Sequence, residues 1–259
     1  MMAADPVRIA MWSGPRNISS AMMRSFGARP DTAVTDEPLY AAFLAHSGAD
    51  HPLRSEVLAS QSNDWREVVA QLQGPAPDGK SIWYQKHMTH HMLGAFGREW
   101  LGGLSNAFLI RDPQAVLASY MHIRAAESVT LADIGIVQQR ELFEREADRL
   151  GRAPPVIEGA DVLADPPGML SLLCAALAIP YTSSMLRWSA GRRDSDGVWA
   201  PAWYAAVERS TGFATPEPAA AGSAASRAAD LPPNLMRLAA QARPHYAALA
   251  VHKLAASVV

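Results

Sequence analysis

The stretch VRIAMWSGPRNISSAMM (residues 7–23) moves from a short apolar run through a turn into the start of a helix. Residues 7–11 read as a buried strand, and Ser19 and Ser20 open a segment of helical period that runs to residue 28. Between them, Gly14, Pro15, Arg16, Asn17 and Ile18 make the turn. A turn of this kind brings backbone N–H groups and the positive end of a helix dipole to one point, where an anion can be held. Ser19 and Ser20 add hydroxyl donors, and Arg16 adds a fixed charge on a planar fork. A nucleoside-triphosphatase loop needs Gly-Lys-Ser/Thr where this chain has Ser19, Ser20 and Ala21, so magnesium-dependent phosphoryl transfer is poorly supplied. The plainer reading of the same residues is a serine-capped helix after a tight turn.

Outward from this stretch, apolar runs at residues 32–35, 82–86, 107–110 and 155–158 read as further buried strands. Helical patterns separate them, at residues 64–72, 131–150 and 165–177, with one more at 234–254. Strands alternating with helices predict an α/β fold, doubly wound, with a mainly parallel central sheet flanked by helices. Residues 1–213 form the α/β domain on this reading. Residues 214–233, rich in Ala, Pro and Ser, form a low-complexity excursion, and residues 234–259 a C-terminal helix that packs back on the same domain.

The bulk properties narrow the function classes. A formal charge of −2 argues against a broad nucleic-acid or membrane surface, so an anion site has to be local. The one cysteine, Cys174, lies in an apolar helical pattern and excludes a disulfide framework or a cysteine metal cluster. No leader pattern and no run of about 20 apolar residues is present, which predicts a cytoplasmic protein. Self-association is left open.

A second strand-to-helix turn lies in FLIRDPQAVLASY (residues 108–120). Arg111 stands at the carboxyl end of a strand, where open α/β sheets bind ligands, and Ser119 follows eight residues later in the next helix. Asp112 and Pro113 suit the cap and first turn of that helix. Two such loops can grip a ligand with two separated phosphates. The alternative pairs Arg111 with Asp112 and leaves Ser119 on a helix surface.

Together the two segments resemble the sulfotransferase family that uses 3′-phosphoadenosine 5′-phosphosulfate (PAPS). Pro15-Arg16-Asn17-Ile18-Ser19-Ser20 is similar to the family's Pro-Lys/Arg-x-Gly-Ser/Thr-Ser/Thr motif, and Arg111 with Ser119 to its second motif. RRDSDGVW (residues 192–199) looks like its third, a basic pair followed by glycines and a tryptophan. Ile18 and Asp194 stand where the family has glycine. The resemblance implies metal-independent, in-line transfer of a sulfuryl group to a hydroxyl or amine of a small-molecule acceptor. It implies that the loop amides, Ser19 and Ser20 hold the 5′-phosphosulfate end and Arg111 and Ser119 the 3′-phosphate, with Arg192 and Arg193 as further ligands. Arg16 would offset charge on the leaving oxygen.

For the acceptor's proton, Glu37 in VTDEPLY and His87 in YQKHMTHHM stand at strand ends, with Lys86 helping to hold the sulfuryl group. His90 and His91 are further candidates, and Asp36 can instead cap a turn into Pro38. The three histidines lack an HExxH pattern, so no metal is expected. The tryptophans of residues 199–213 and elsewhere suit either an acceptor pocket or ordinary packing. The competing readings are a small-molecule kinase and a non-catalytic nucleotide- or phosphate-binding member of the fold.

Overall fold

The computed structural model describes residues 5–121, 129–214 and 231–255; most of the expected 214–233 excursion therefore lies outside the described residues. Five parallel strands form one sheet: β1 (Val7–Ser13), β2 (Thr32–Asp36), β3 (Ile82–Met88), β4 (Ser105–Ile110) and β5 (Val156–Glu158). Their order is β2-β3-β1-β4-β5, with β1 in the middle. From β1 the chain passes to one side for β2 and β3 and to the other for β4 and β5. The turn after β1 therefore sits at the switch point, where such sheets open a crevice.

The strands are apolar on both faces because both are covered. Ile9 and Met11 belong to one core, with Met22, Phe26, Tyr84 and Leu109. Ala10 and Trp12 belong to the opposite one, with Trp83, Phe108, Phe143 and Leu249. Burying each large side chain of this kind stabilises the fold by about 1.5–3 kcal/mol. The alternation matters below, because consecutive strand residues serve different faces.

The helices are α1 (Ser19–Gly27), α2 (Tyr40–Ser47), α3 (Arg54–Ser60), α4 (Trp65–Leu72), α5 (Pro113–Tyr120), α6 (Leu131–Ile134), α7 (Ile136–Leu150), α8 (Gly159–Ala164), α9 (Pro166–Ala176), α10 (Ala200–Trp203), α11 (Ala205–Arg209) and α12 (Pro233–Ala250). Asp112 caps α5 as its sequence suggests, accepting from the Gln114 amide at 2.8 Å, with Pro113 in the first turn. The carboxylate also receives Arg243 of α12 at 2.7 Å, which ties α12 to α5. Past α12, the Leu254 amide donates to Val156 O of β5 at 2.8 Å.

One expected element differs. The helical pattern of residues 131–150 is two helices, α6 and α7, broken at Gly135 with φ +65°. A Cβ at Gly135 would lie 2.5 Å from Thr89 Oγ1 and 2.8 Å from the His90 amide. The chain therefore kinks where it presses against the turn after β3. The same corner meets the β1 loop, since a Cβ at Gly14 would lie 2.7 Å from Ile134 O. Among the described residues no helix is long and apolar enough to cross a membrane.

Candidate active site

The β1–α1 turn differs in detail from the glycine-bearing motif it resembles. Ile18 is the N-cap of α1 with φ −84°, a conformation open to any residue, so no glycine is needed there. The left-handed conformation falls on Arg16, at φ +58°. Neither Ser19 nor Ser20 caps the helix, because α1 has no side-chain cap. Its first helical hydrogen bond runs from the Met22 amide to Ile18 O at 2.9 Å. The amides of Ser19, Ser20 and Ala21 come before it, and all three residues line a cavity of about 330 Å³. Asn17 braces the turn: its Oδ1 accepts from the Ile18 amide at 2.8 Å and its Nδ2 donates to Leu109 O at 3.3 Å.

The β4–α5 turn meets this loop directly. Arg16 Nε donates to Ser119 Oγ at 3.0 Å, and the Arg111 guanidinium donates to the Arg16 carbonyl. All three side chains line the cavity. Partial burial lowers the pKa of the Arg16 guanidinium. Among the described residues Arg16 has no carboxylate partner.

A buried polar cluster lines the same cavity. Register pairs Asp36 with Lys86 across β2 and β3. Lys86 Nζ donates to Asp36 Oδ1 at 2.9 Å, to Tyr204 Oη at 2.8 Å and to Glu37 Oε1. The Tyr204 hydroxyl also lies 2.8 Å from both Asp36 carboxylate oxygens. Burial works against the Lys86 charge, but the Asp36 and Glu37 carboxylates overcome it and hold the ammonium well above its ordinary pKa. Burial likewise raises the Glu37 carboxyl, partly offset by Lys86. Burial, with Asp36 beside it, pushes the Tyr204 phenol well up. Glu37 stands on a left-handed backbone, φ +40°, while its amide still bonds Lys86 O at 2.9 Å. Such outliers in non-glycine residues persist where their surroundings over-determine them, often at functional sites.

His90 and His91, on the turn after β3, also line the cavity. The His91 ring stacks with Tyr40 (4.5 Å, 15°) and with Phe43 (4.8 Å, 25°). Its Nε2 is 4.0 Å from Glu37 Oε2. Burial brings the His90 pKa to about 3 and puts that of His91 well below the usual value, so both rings are neutral. Among the described residues no group of three or more His, Cys, Asp or Glu side chains is placed to hold a metal.

The structure relocates several of the expected groups. His87 does not join Glu37 and Lys86: it faces the other side of β3, stacks on Trp12 at 4.4 Å, and has its Nε2 3.2 Å from Gln85 Oε1. Lys86 lines the cavity, and its ammonium donates to Asp36, Glu37 and Tyr204. Arg192 and Arg193 do not line the cavity. Their segment is organised by Asp196, which accepts from the two terminal Arg24 nitrogens, Nη1 and Nη2, at 2.6 Å and from the Arg193 amide at 2.8 Å. Asp36 joins the cluster instead of capping a turn. Of the tryptophans, Trp203 lines the cavity, while Trp199 is packed in the core. Tyr204 and Tyr40 went unrecognised; the aromatic density of residues 199–204 was the signal for the first.

A family model described as a sulfotransferase domain matches residues 7–249. Branched-chain-amino-acid aminotransferase-like protein 1 of Arabidopsis thaliana is 36% identical over 215 residues, which take in 83% of this chain and 38% of that protein. The chain thus spans well under half the length of this curated relative. A sulfotransferase from Alicyclobacillus acidocaldarius has a similar fold, with a TM-score of 0.53 and 14% identity, covering 97% of this chain and 98% of that one. The sulfotransferase domain of the Synechococcus PCC 7002 olefin synthase gives a TM-score of 0.52 at 15% identity, covering 93% and 96%. At these identities the two structures speak for the fold alone.

Proposed function

The chain belongs to the sulfotransferase domain family, and from that premise we propose that it transfers a sulfuryl group from PAPS to a hydroxyl or amine of a small-molecule acceptor, in line and without a metal. The observation that carries this reading is Arg16: a partly buried guanidinium with no carboxylate partner among the described residues, held by Ser119 at the N-terminus of α1. A charge so placed calls for an anion.

The residues fit an anionic nucleotide donor. The turn from Pro15 to Ser20, with Arg111 and Ser119, would hold it, in a cavity within the range of small-molecule pockets, about 300–1,000 Å³. When bound, PAPS supplies a sulfuryl group activated by its link to a phosphate. Arg16 and the amides of Ser19 and Ser20 offset the negative charge that develops at the leaving oxygen. Glu37 takes the acceptor's proton on Oε2, because Oε1 is occupied by Lys86. Lys86, fixed in turn by Asp36 and Tyr204, holds the Glu37 carboxylate in place and limits its rise in pKa.

Titration calorimetry with adenosine 3′,5′-bisphosphate tests this. Micromolar binding in the absence of magnesium is expected, and its loss in Arg16→Ala. A preference for ATP with Mg²⁺ would replace the reading with that of a kinase.

A further inference from the structure

The proposed function leaves the acceptor's reacting group open between hydroxyl and amine, and the His91 edge decides between them. Glu37 Oε2 and His91 Nε2 are 4.0 Å apart at the cavity wall. That is too far for a direct hydrogen bond, yet one atom between them can lie about 2.8 Å from each. Tyr40 and Phe43 stack against the His91 ring, and its Nε2 edge stands toward Glu37.

The ring's single proton has two places to sit. His91 Nδ1 is buried and has no hydrogen-bond partner. A proton there would strand a buried donor and turn the Nε2 lone pair toward the Glu37 carboxylate. A proton on Nε2 points a donor at that carboxylate and leaves only a lone pair buried, the smaller cost. His91 therefore presents an N–H to the site, beside a carboxylate that presents lone pairs. The charged and titratable groups around this pair are Lys86, bonded to Glu37, with Asp36 and Tyr204 beside it, and His90, whose ring centroid is 4.3 Å from that of His91, with His51 next to it.

An atom between the two must accept a hydrogen bond from His91 and donate one to Glu37. A hydroxyl oxygen does both. An alkylammonium has no lone pair to accept from His91, and a neutral amine that accepts there has no second lone pair left to attack sulfur, whereas a hydroxyl oxygen keeps one. We propose that the acceptor is a neutral hydroxyl compound, and that the Glu37–His91 pair selects it over an alkylamine. As the acceptor oxygen–sulfur bond forms and the donor's bridging sulfur–oxygen bond breaks, the electron pair leaves with the donor's phosphate and the hydroxyl proton passes to Glu37 Oε2. His91 binds the same oxygen through a lone pair and gives up no proton. This inference rests on the sulfotransferase reading above.

The ¹⁵N spectrum of histidine-labelled protein near pH 7, with the His91 signal assigned by its loss in His91→Phe, reads the tautomer without any acceptor. The Nε2–H form is expected; an Nδ1–H form or an imidazolium would overturn the proposal. In transfer assays with PAPS, 2-phenylethanol should exceed 2-phenylethylamine by about tenfold or more in kcat/KM, the worth of one well-made hydrogen bond. His91→Phe keeps the stacking and should raise the alcohol KM about tenfold with unchanged affinity for adenosine 3′,5′-bisphosphate. His91→Gln, which can return an N–H near the same place, should restore part of the loss. Equal use of alcohol and amine, or an unaltered KM in His91→Phe, would sink the hydroxyl assignment alone. Failure of the wild type to bind the bisphosphate would remove the sulfotransferase reading and this inference with it.

Discussion

Lys86 and His87 are consecutive on β3 and equally buried, each 1% exposed, yet they serve different chemistry. Lys86 turns to the cavity face, where one ammonium meets two carboxylates and a phenol. His87 turns to the opposite face, among Trp12, Trp100 and Gln85, where burial brings its pKa to about 3 and keeps it neutral. Both side chains are buried and hydrogen-bonded, so these features alone do not separate them. What separates them is that the Lys86 cluster includes a carboxylate, Glu37, with an oxygen facing a cavity. A buried charge points to a site where its partners reach an open space, and to architecture where they do not.

The largest expected effect breaks the comparison on the Lys86 side. Glu37→Gln keeps the shape and removes the base, and should lower kcat for sulfuryl transfer by about 10²–10⁴-fold. Binding of adenosine 3′,5′-bisphosphate, measured by calorimetry, should change little. If turnover persists, proton removal belongs to another group. His87→Phe, on the other face, should leave kcat within about threefold, since it removes one neutral hydrogen bond far from the reacting atoms.

Stability gives the next contrast. Lys86→Met strands Asp36 and Glu37 without their cation and should cost about 3–5 kcal/mol in urea unfolding, as for other broken buried ion pairs. His87→Phe exchanges one aromatic ring for another against Trp12 and should cost under about 2 kcal/mol. Equal losses would mean that the cluster contributes no more to the fold than an ordinary stacking contact.

Acid separates the two faces in another way. His87 has a folded-state pKa near 3 against an ordinary value of 6.5. Between these values the unfolded chain binds a proton that the folded one does not. Stability from keeping His87 neutral is therefore complete above about pH 6.5 and is lost as the pH falls toward 3, by up to about 1.4 kcal/mol per pH unit. His90 has the same sign, its pKa also being about 3. Unfolding free energies measured at intervals from pH 7 to pH 4 should fall less steeply in His87→Phe, by about one proton's worth of slope. An unchanged slope would show that His87 is already charged in the folded state. Lys86 acts at the other extreme: its raised pKa stabilises the fold at all pH values below the ordinary lysine range, so it adds no slope in acid.

The same pair of residues shows what the sequence could and could not tell. All five strands were legible, because a sheet covered on both faces produces apolar runs that local pattern detects. The β1 turn and the Arg111–Ser119 turn were legible as strand-to-helix turns for the same local reason. Period-two alternation also implies that Lys86 and His87 face opposite sides, and grouping them as one catalytic set neglected it. The Asp36–Lys86 pairing was not legible, since it depends on β2 lying beside β3 in a particular register. Tyr204 reaches the cluster from 118 residues away, a separation that no local pattern spans. The break at Gly135 was hidden inside a good helical period, and only its contact with Thr89 and His90 explains it.

The smallest expected effect tests the loop that decided the fold. Ile18 stands in a glycine slot but adopts φ −84°, while Arg16 carries the left-handed conformation at φ +58°. The strain therefore sits on the residue to which the proposed mechanism gives the leaving-oxygen role. A left-handed conformation costs a non-glycine residue about 1–2 kcal/mol relative to glycine, part of which glycine returns through the entropy of its unfolded chain. Arg16→Gly should thus unfold at higher urea than Arg16→Ala, by about 1 kcal/mol, with both inactive in transfer. Ile18→Gly should gain nothing from the change, because its backbone is already relaxed and its side chain packs against the core. If Arg16→Gly is no more stable than Arg16→Ala, the turn is unstrained and the left-handed residue carries no functional cost. If it is more stable, the loop holds a destabilised conformation that places its guanidinium beside Ser119, at the mouth of α1.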